Sequence, residues 1–325
     1  YSAGYLQYGD IPSYKIFDAS DGIYYDVLPS NNQGFANLSI VFIERMDSRV
    51  FQNLGLHEGA NLISFYTLSE DASVENMMDP LMGHIAAVMT EGSATIYLDD
   101  FGWLGTLTEF ERNRGYWIVM NDDYNLQVEG IDLMLGLVYT LHAGPNLISY
   151  PDPGSTDVGY AIPDDVEGSF EAILTEGSAA INTGNGWGGS LTSFAGGEGY
   201  WAIVSEDLSF SYNIDSGMGR TIANKYVETL PEASQYNVIQ SSEQAFYFVD
   251  QVELLDGNIE SGDWLLSYNG NVLTGIRQWQ DVMIDIPAMG YNDIEANTTG
   301  YLSEGDTPTF KLLKQATGEL IQLGG

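Results

Sequence analysis

The 325-residue chain contains no cysteine, only three histidines, and 10 lysines and arginines against 46 aspartates and glutamates. Without a thiol there is no disulfide framework, no thiolate metal ligand and no cysteine nucleophile. The formal net charge of −36 repels phosphate backbones, because non-specific nucleic-acid binding needs lysine and arginine to neutralise phosphates. It repels anionic membrane surfaces for the same reason. Long apolar runs are missing too. The longest, Leu133 to Leu141, holds Gly136, Tyr139 and Thr140 and is far shorter than the ~20 residues of a membrane-spanning helix, so no membrane insertion is expected. What is present argues for a fold. Hydrophobic residues make up 44% and aromatic residues 12%, whereas acidic disordered tails are depleted in aromatics. The first residue is Tyr1 rather than Met, which reads as a processed product or a fragment.

Self-similarity organises the chain. The octapeptide His57 to Ser64 returns as His142 to Ser149 with six of eight residues identical at a spacing of 85. At the same spacing, Thr90-Glu91-Gly92-Ser93-Ala94 returns unchanged as Thr175 to Ala179. After one deletion the spacing is 84: Gly102 to Leu107 matches Gly186 to Leu191, Phe110 matches Phe194, and Gly115-Tyr116-Trp117 matches Gly199-Tyr200-Trp201. A second echo joins the ends. Gly4-Tyr5-Leu6, Gly9-Asp10, Pro12 and Lys15 recur at a spacing of 296 as Gly300-Tyr301-Leu302, Gly305-Asp306, Pro308 and Lys311, with Tyr14 answered by Phe310. Four segments are therefore expected: 1–50, the tail of a flanking β module; 51–131 and 132–216, two copies of one repeat; and 217–325, a C-terminal β module whose end echoes residues 4–22.

The pattern predicts an all-β protein of tandem small β-sandwich or barrel-like modules, with a short helix in each central repeat. Strands are expected at Ser13 to Phe17, Leu38 to Ile43, Tyr116 to Met120, Tyr200 to Val204, Ala245 to Val249 and Thr309 to Leu313, all rich in β-branched and aromatic residues. Asp21-Gly22, Asn185-Gly186, Asp256-Gly257 and Asn269-Gly270 supply turn signals. Val74 to Ile85 has helical spacing but is interrupted by Pro80. Its counterpart, Val158 to Leu174, carries Pro163 and is expected to hold a turn or two.

The repeated elements resemble a module of large secreted, multidomain bacterial proteins, which reads G-x-N-L-I-S, then G-W-x-G-x-L, then G-Y-W. Gly9 to Ser20 and Gly262 to Gly270 resemble a β-module that accompanies it in surface proteins exported by gliding-type secretion systems. The resemblance implies an extracellular or cell-surface location and a role as spacer, adhesion or assembly unit. It departs from that family in having no C-terminal sorting domain and no cysteine in the flanking module. Gly262 to Gly270 also echoes the core of the peptide-binding PDZ domain, without the carboxylate-binding loop expected ahead of it.

Residues that could carry chemistry are sparse. His57 and His142 hold the same repeat position, which favours a structural role, and a zinc site with His84 would need two repeats to converge. Neither a nucleophile elbow nor a phosphate-cradling loop is present. Asp99-Asp100, Asp122-Asp123 and Asp164-Asp165 are candidate calcium ligands, although none follows the Asp-x-Asp-x-Asp-Gly pattern; solvated loops explain them as well. Trp117 and Trp201 read as core residues, and Trp103 and Trp187 as the exposed pair that could stack on sugar rings. Asn37 and Asn297 begin glycosylation triplets. The reading that follows is a non-enzymatic extracellular structural protein, a subunit or repeat unit of a surface fibre assembling head to tail with identical copies by β-strand complementation. Tyr5, Tyr14, Ile16, Phe17, Phe310, Leu312 and Leu313 are its candidate assembly residues. No cofactor is expected beyond calcium or other cations. The alternative is a polysaccharide-binding or adhesion module.

Overall fold

The computed structural model describes residues 5–19, 22–31, 33–131, 136–214, 236–255 and 257–324. Gly4 of the end-to-end echo, Asp21 and Asp256 of two turn signals, and the expected boundaries at 132 and 216–217 lie outside the described residues. The fold is all-β and antiparallel throughout its sheets.

Strand β1 (Tyr14–Asp18) and β2 (Ile23–Pro29) form a hairpin, and β2 pairs on its other side with the start of β3 (Met46–Leu56). The strand predicted at Leu38 to Ile43 does not form. Leu38, Ile40 and Phe42 alternate as a strand would, but among the described residues no strand pairs with them and they stand 92%, 84% and 82% exposed. Strand propensity is realised only where there is a surface to pack on.

In the first repeat copy, β4 (Gly59–Ser64), α1 (Val74–Met78), β5 (Ile85–Thr90), β6 (Ser93–Leu98), β7 (Gly102–Gly105) and β8 (Gly115–Met120) follow in turn, with sheet order β4-β8-β5-β6-β7. Strand β9 (Tyr124–Ile131) then returns beside β3. The helix is shorter than its hydrophobic spacing suggests. The Ser73 side chain caps it by accepting the Asn76 N–H, and Pro80 turns the chain into a 3₁₀ turn over Asp79–Leu81. Val74, Met77, Met78, Leu81 and Ile85 are buried all the same, so the apolar spacing served a core, only partly as helix.

The second copy runs through β10 (Tyr139–Leu141), β11 (Gly144–Ser149), β12 (Ser155–Asp157), α2 (Val158–Ala161), α3 (Asp164–Glu167), β13 (Phe170–Thr175), β14 (Ser178–Asn182), β15 (Trp187–Gly189), β16 (Ser193–Ala195), β17 (Gly199–Val204) and β18 (Leu208–Phe210). Its five-stranded sheet, β11-β17-β13-β14-β15, repeats the order of the first, and β10 pairs β18 as β3 pairs β9. The registers agree: Gly59 faces Met120 and Gly144 faces Val204. Each copy has its own core. The first is centred on Phe65, Phe110 and Tyr116, and the second on Tyr150, Phe194, Tyr200 and Tyr212.

The C-terminal part comprises β19 (Gln244–Val249), β20 (Trp264–Asn269), β21 (Val272–Gln278), β22 (Ile284–Met289), β23 (Thr309–Leu313) and β24 (Leu320–Gln322). β19 pairs β22, and the second sheet has order β21-β20-β23-β24. Alternation along β20 and β23 divides its apolar residues between two clusters. Trp264, Leu266 and Leu313 enter one, while Leu265, Leu312, Trp279, Ile284 and Ile286 form the other.

Candidate functional site

The letters shared by the two copies converge on the contact between the copies. Gly59 and Gly144 turn at φ +93° and +99°, a region that glycine enters freely and other residues rarely. The Asn61 side chain accepts the His57 N–H at 2.9 Å and donates to its carbonyl at 2.8 Å; Asn146 holds His142 in the same way. Leu62, Leu147, Ala60 and Trp117 pack together away from their own cores, flanked by Met89 and Trp201. Ser64 donates its N–H to the Gly197 carbonyl and its hydroxyl to the Glu198 carbonyl, and Ser149 donates to Asn113 and Arg112. A Cβ on Gly115 would fall 2.9 Å from the Ile148 oxygen, and one on Gly199 would fall 2.6 Å from the Ile63 oxygen. Glu91 closes the seam from one side, its carboxylate lying 2.6 Å from His142 Nε2 and accepting the Leu147 N–H at 3.1 Å. Glu176 closes the other, at 2.7 Å from His57 Nε2 and 3.1 Å from the Leu62 nitrogen. The serine N–H contacts, the glycine approaches and the glutamate clasps each occur twice with the roles exchanged, which is the mark of an isologous interface, here within one chain; only the serine hydroxyls choose different carbonyls.

The two clasps differ in setting, because Glu176 is 6% exposed and Glu91 36%. His142 has its pKa raised by its hydrogen bond to the Ala143 carbonyl, and further by Glu91. A raised histidine pKa contributes stability that is complete below the unfolded value of ~6.5 and is lost as pH rises through the folded value. The gap in thermal midpoint between the native chain and Glu91→Gln should therefore narrow as pH is raised from about 5.5 to 8. A gap that is constant over that range would remove the ionic contribution.

The C-terminal part is bolted to the second copy through a buried pair. Asp285 accepts the N–H of Ala179, the N–H and hydroxyl of Ser190, and a guanidinium N–H of Arg277 at 2.9 Å. Arg277 also donates to the Asp285 carbonyl and to the Gly177 carbonyl. Burial pushes the Asp285 carboxyl above the usual range, while Arg277 and Ser190 pull it back. A cleft of about 590 Å³ marks the junction, with His57, Glu176, Arg277, Ile239 and Met289 on its walls. Its charged walls are the same groups that hold the parts together.

The other candidates are dispersed. Trp103 is half-buried against the first core and edge-on to Tyr97, with ring centroids 5.3 Å apart. Trp187 packs on the second core and donates to Glu167 at 2.7 Å. The expectation of a free-standing pair fails because each indole covers an apolar cluster. Asp99 and Asp100 lie exposed between β6 and β7, and Asp164 and Asp165 begin α3. Asp122 faces His84 at 2.6 Å, and Asp123 accepts the Glu58 N–H at 2.9 Å. Among the described residues no three His, Asp or Glu side chains gather to hold a metal. Asn37 and Asn297 are both exposed.

The end-to-end echo proves to be one hairpin built twice. Gln7 donates to the Asp10 carboxylate as Ser303 donates to Asp306, and Gly9 and Gly305 both turn at φ +89°. Lys15 faces Asp26, Ile16 faces Tyr25 and Phe17 faces Tyr24; Lys311 faces Gln322, Leu312 faces Ile321 and Leu313 faces Leu320. The surroundings differ. β23 is paired on both sides, and Leu312 and Leu313 are 0% and 4% exposed, while β1 is an edge strand with Ile16 and Phe17 at 43% and 51%. Tyr301 is 7% exposed and its hydroxyl bonds Ile239, whereas Tyr5 is 78% exposed. Tyr14 and Phe310 are both half-buried, Phe310 against Tyr247. Of the predicted assembly residues, then, Leu312 and Leu313 are buried in two clusters with Phe310 packed against one of them, whereas Tyr14, Ile16 and Phe17 lie on an open hairpin and Tyr5 is exposed ahead of it. Beside it runs a groove of about 390 Å³ lined by Ile16, Phe17, Ala19, Tyr25, Val27 and Ser48.

No protein-family model, curated protein or solved structure matches the chain. Geometry alone therefore carries the functional argument. Two groups escaped the sequence reading: the Glu91 and Glu176 clasps, signalled by a pentapeptide repeated without change, and Asp285, one carboxylate among 46 acidic residues with nothing local to single it out.

Proposed function

We propose that this protein is a non-enzymatic structural unit of an extracellular or cell-surface assembly, in which neighbouring β units complete one another at the β1–β2 hairpin. The observation that carries the reading is the pair of equivalent hairpins, one with its first strand sealed in a sheet and one with its first strand at an open edge, where Ile16, Phe17, Tyr24 and Tyr25 are exposed. An open, apolar strand edge is the form that β addition uses, and Leu38, Ile40 and Phe42 add further exposed apolar surface. The reciprocal seam between the repeat copies supplies a rigid centre, as a structural unit requires. Abundant acidity suits a saline exterior setting, where self-repulsion is screened. Polysaccharide binding draws no support from Trp103 and Trp187, which are committed to their cores.

In analytical ultracentrifugation at 0.5 M salt, the native chain should self-associate with rising concentration by pairing of the open β1 edges of two copies, and Ile16→Asp with Tyr25→Asp should remain monomeric. Desalting should dissociate the native species, because repulsion between chains of −36 is screened within about 8 Å only near physiological ionic strength or above. A native chain that is monomeric at every salt and concentration would overturn self-association.

A further inference from the structure

The C-terminal hairpin shows what covers a hairpin of this kind. On its edge lies β20, with Trp264 opposite Leu313, Leu265 opposite Leu312, Leu266 opposite Lys311, Ser267 opposite Phe310 and Tyr268 opposite Thr309. On its face lie Trp279, Ile284 and Ile286, which bury Leu312 and pack on Ile321 and Leu323. The positions of Leu312, Ile321 and Leu323 are those of Ile16, Tyr25 and Val27 at the 296-residue spacing; the latter three line the open groove, Ile16 and Tyr25 exposed and Val27 already buried.

We propose that the β1–β2 hairpin is the receptor for a second segment built like residues 236–300, whose counterpart of Trp264–Asn269 adds to β1 in antiparallel register. Subtracting the spacing fixes the pairing. The counterpart of Trp264 lies opposite Phe17, of Leu265 opposite Ile16, of Leu266 opposite Lys15, of Ser267 opposite Tyr14, and of Tyr268 opposite Ser13. Lys15 then meets the ring that Lys311 covers at 4.1 Å in the C-terminal part, and Tyr5 reaches the backbone that Tyr301 bonds at Ile239.

The donor is further constrained. β20 of this chain already has β21 and β23 as neighbours, so an intact C-terminal part has no strand to spare. The occupant is a copy of the 236–300 segment that carries no hairpin of its own. The sequence echo allows such a copy to be joined ahead of Tyr5, since Gly300-Tyr301 and Gly4-Tyr5 are the same step.

The test extends the full chain by placing residues 236–300 immediately ahead of Tyr5 and follows hydrogen exchange at residues 13–17. Pairing should slow exchange by about 100-fold or more at the alternate amides of this stretch that face away from β2. Leu266→Pro in the added copy should abolish the effect, because proline lacks the N–H and breaks the ladder. Should the added copy fail to fold, a synthetic peptide of residues 262–270 titrated onto the native chain gives the second measurement, with the same amides slowed. Unchanged exchange in both experiments overturns the assignment, as does protection that survives the proline. The inference rests on the assembly reading, yet the two fail separately. A native chain that stays monomeric while the extension protects β1 sinks self-association and leaves the donor segment assigned. Self-association of the native chain at high concentration, with these amides unprotected in the dilute extended chain, does the reverse.

Discussion

Asp285→Ala is expected to destabilise the C-terminal part by about 3–5 kcal/mol, the range for breaking a buried ion pair by removing one partner. The carboxylate is fully buried and is the common acceptor for Arg277, Ser190 and Ala179. Its removal leaves the Arg277 charge inside without the Asp285 carboxylate and orphans the Ser190 hydroxyl and two N–H groups, each of which carries a desolvation penalty. The loss is concentrated at the boundary with the second repeat copy, because Arg277 also holds the Gly177 carbonyl. Urea unfolding followed by far-ultraviolet circular dichroism should therefore split into two transitions, the C-terminal part melting first. Arg277→Met combined with Asp285→Leu should be milder than either single change, since no charge then remains inside. A single variant that unfolds within about 1 kcal/mol of the native chain would show that the pair does not hold the parts together.

Trp117→Ala is expected to lower stability by about 3–5 kcal/mol, the usual result of deleting a buried aromatic side chain. Trp117 is 3% exposed and packs with Leu62 and Leu147 between the copies. Its repeat partner Trp201 occupies the equivalent place but is only partly buried, so Trp201→Ala should lose less. Equal losses would mean that the seam is more symmetric than its exposures indicate. A loss below about 1 kcal/mol at Trp117 would mean that the cavity collapses and that the seam is held by its polar clasps.

Much of the architecture was legible in the residues. The strands at Tyr14–Asp18, Gly115–Met120, Gly199–Val204, Gln244–Val249 and Thr309–Leu313 lie where β-branched and aromatic residues cluster, because those side chains suit a pleated, half-buried surface. The same pattern misled at Leu38 to Ile43, where no partner strand is within reach, and at Val74 to Ile85, where one apolar stripe served a helix, a 3₁₀ turn and the first residue of a strand. The site was less legible. Histidine and serine positions shared by the copies were visible, but that His57 meets Glu176 across 119 residues depends on how two sheets face each other.

By itself the sequence determined an acidic, thiol-free, all-β chain with one unit written twice and one hairpin written twice, because local pattern and self-similarity need no knowledge of neighbours. Only the tertiary structure decided what the shared letters are for. Gly115 and Gly199 are glycine because another backbone passes within reach of where a Cβ would stand. Leu312 is core and Ile16 is surface because β20 pairs the first strand of one hairpin and β22 residues pack on it, whereas among the described residues no strand pairs the outer edge of β1. Burial is a property of surroundings, and two matching strand sequences with different surroundings acquire different roles.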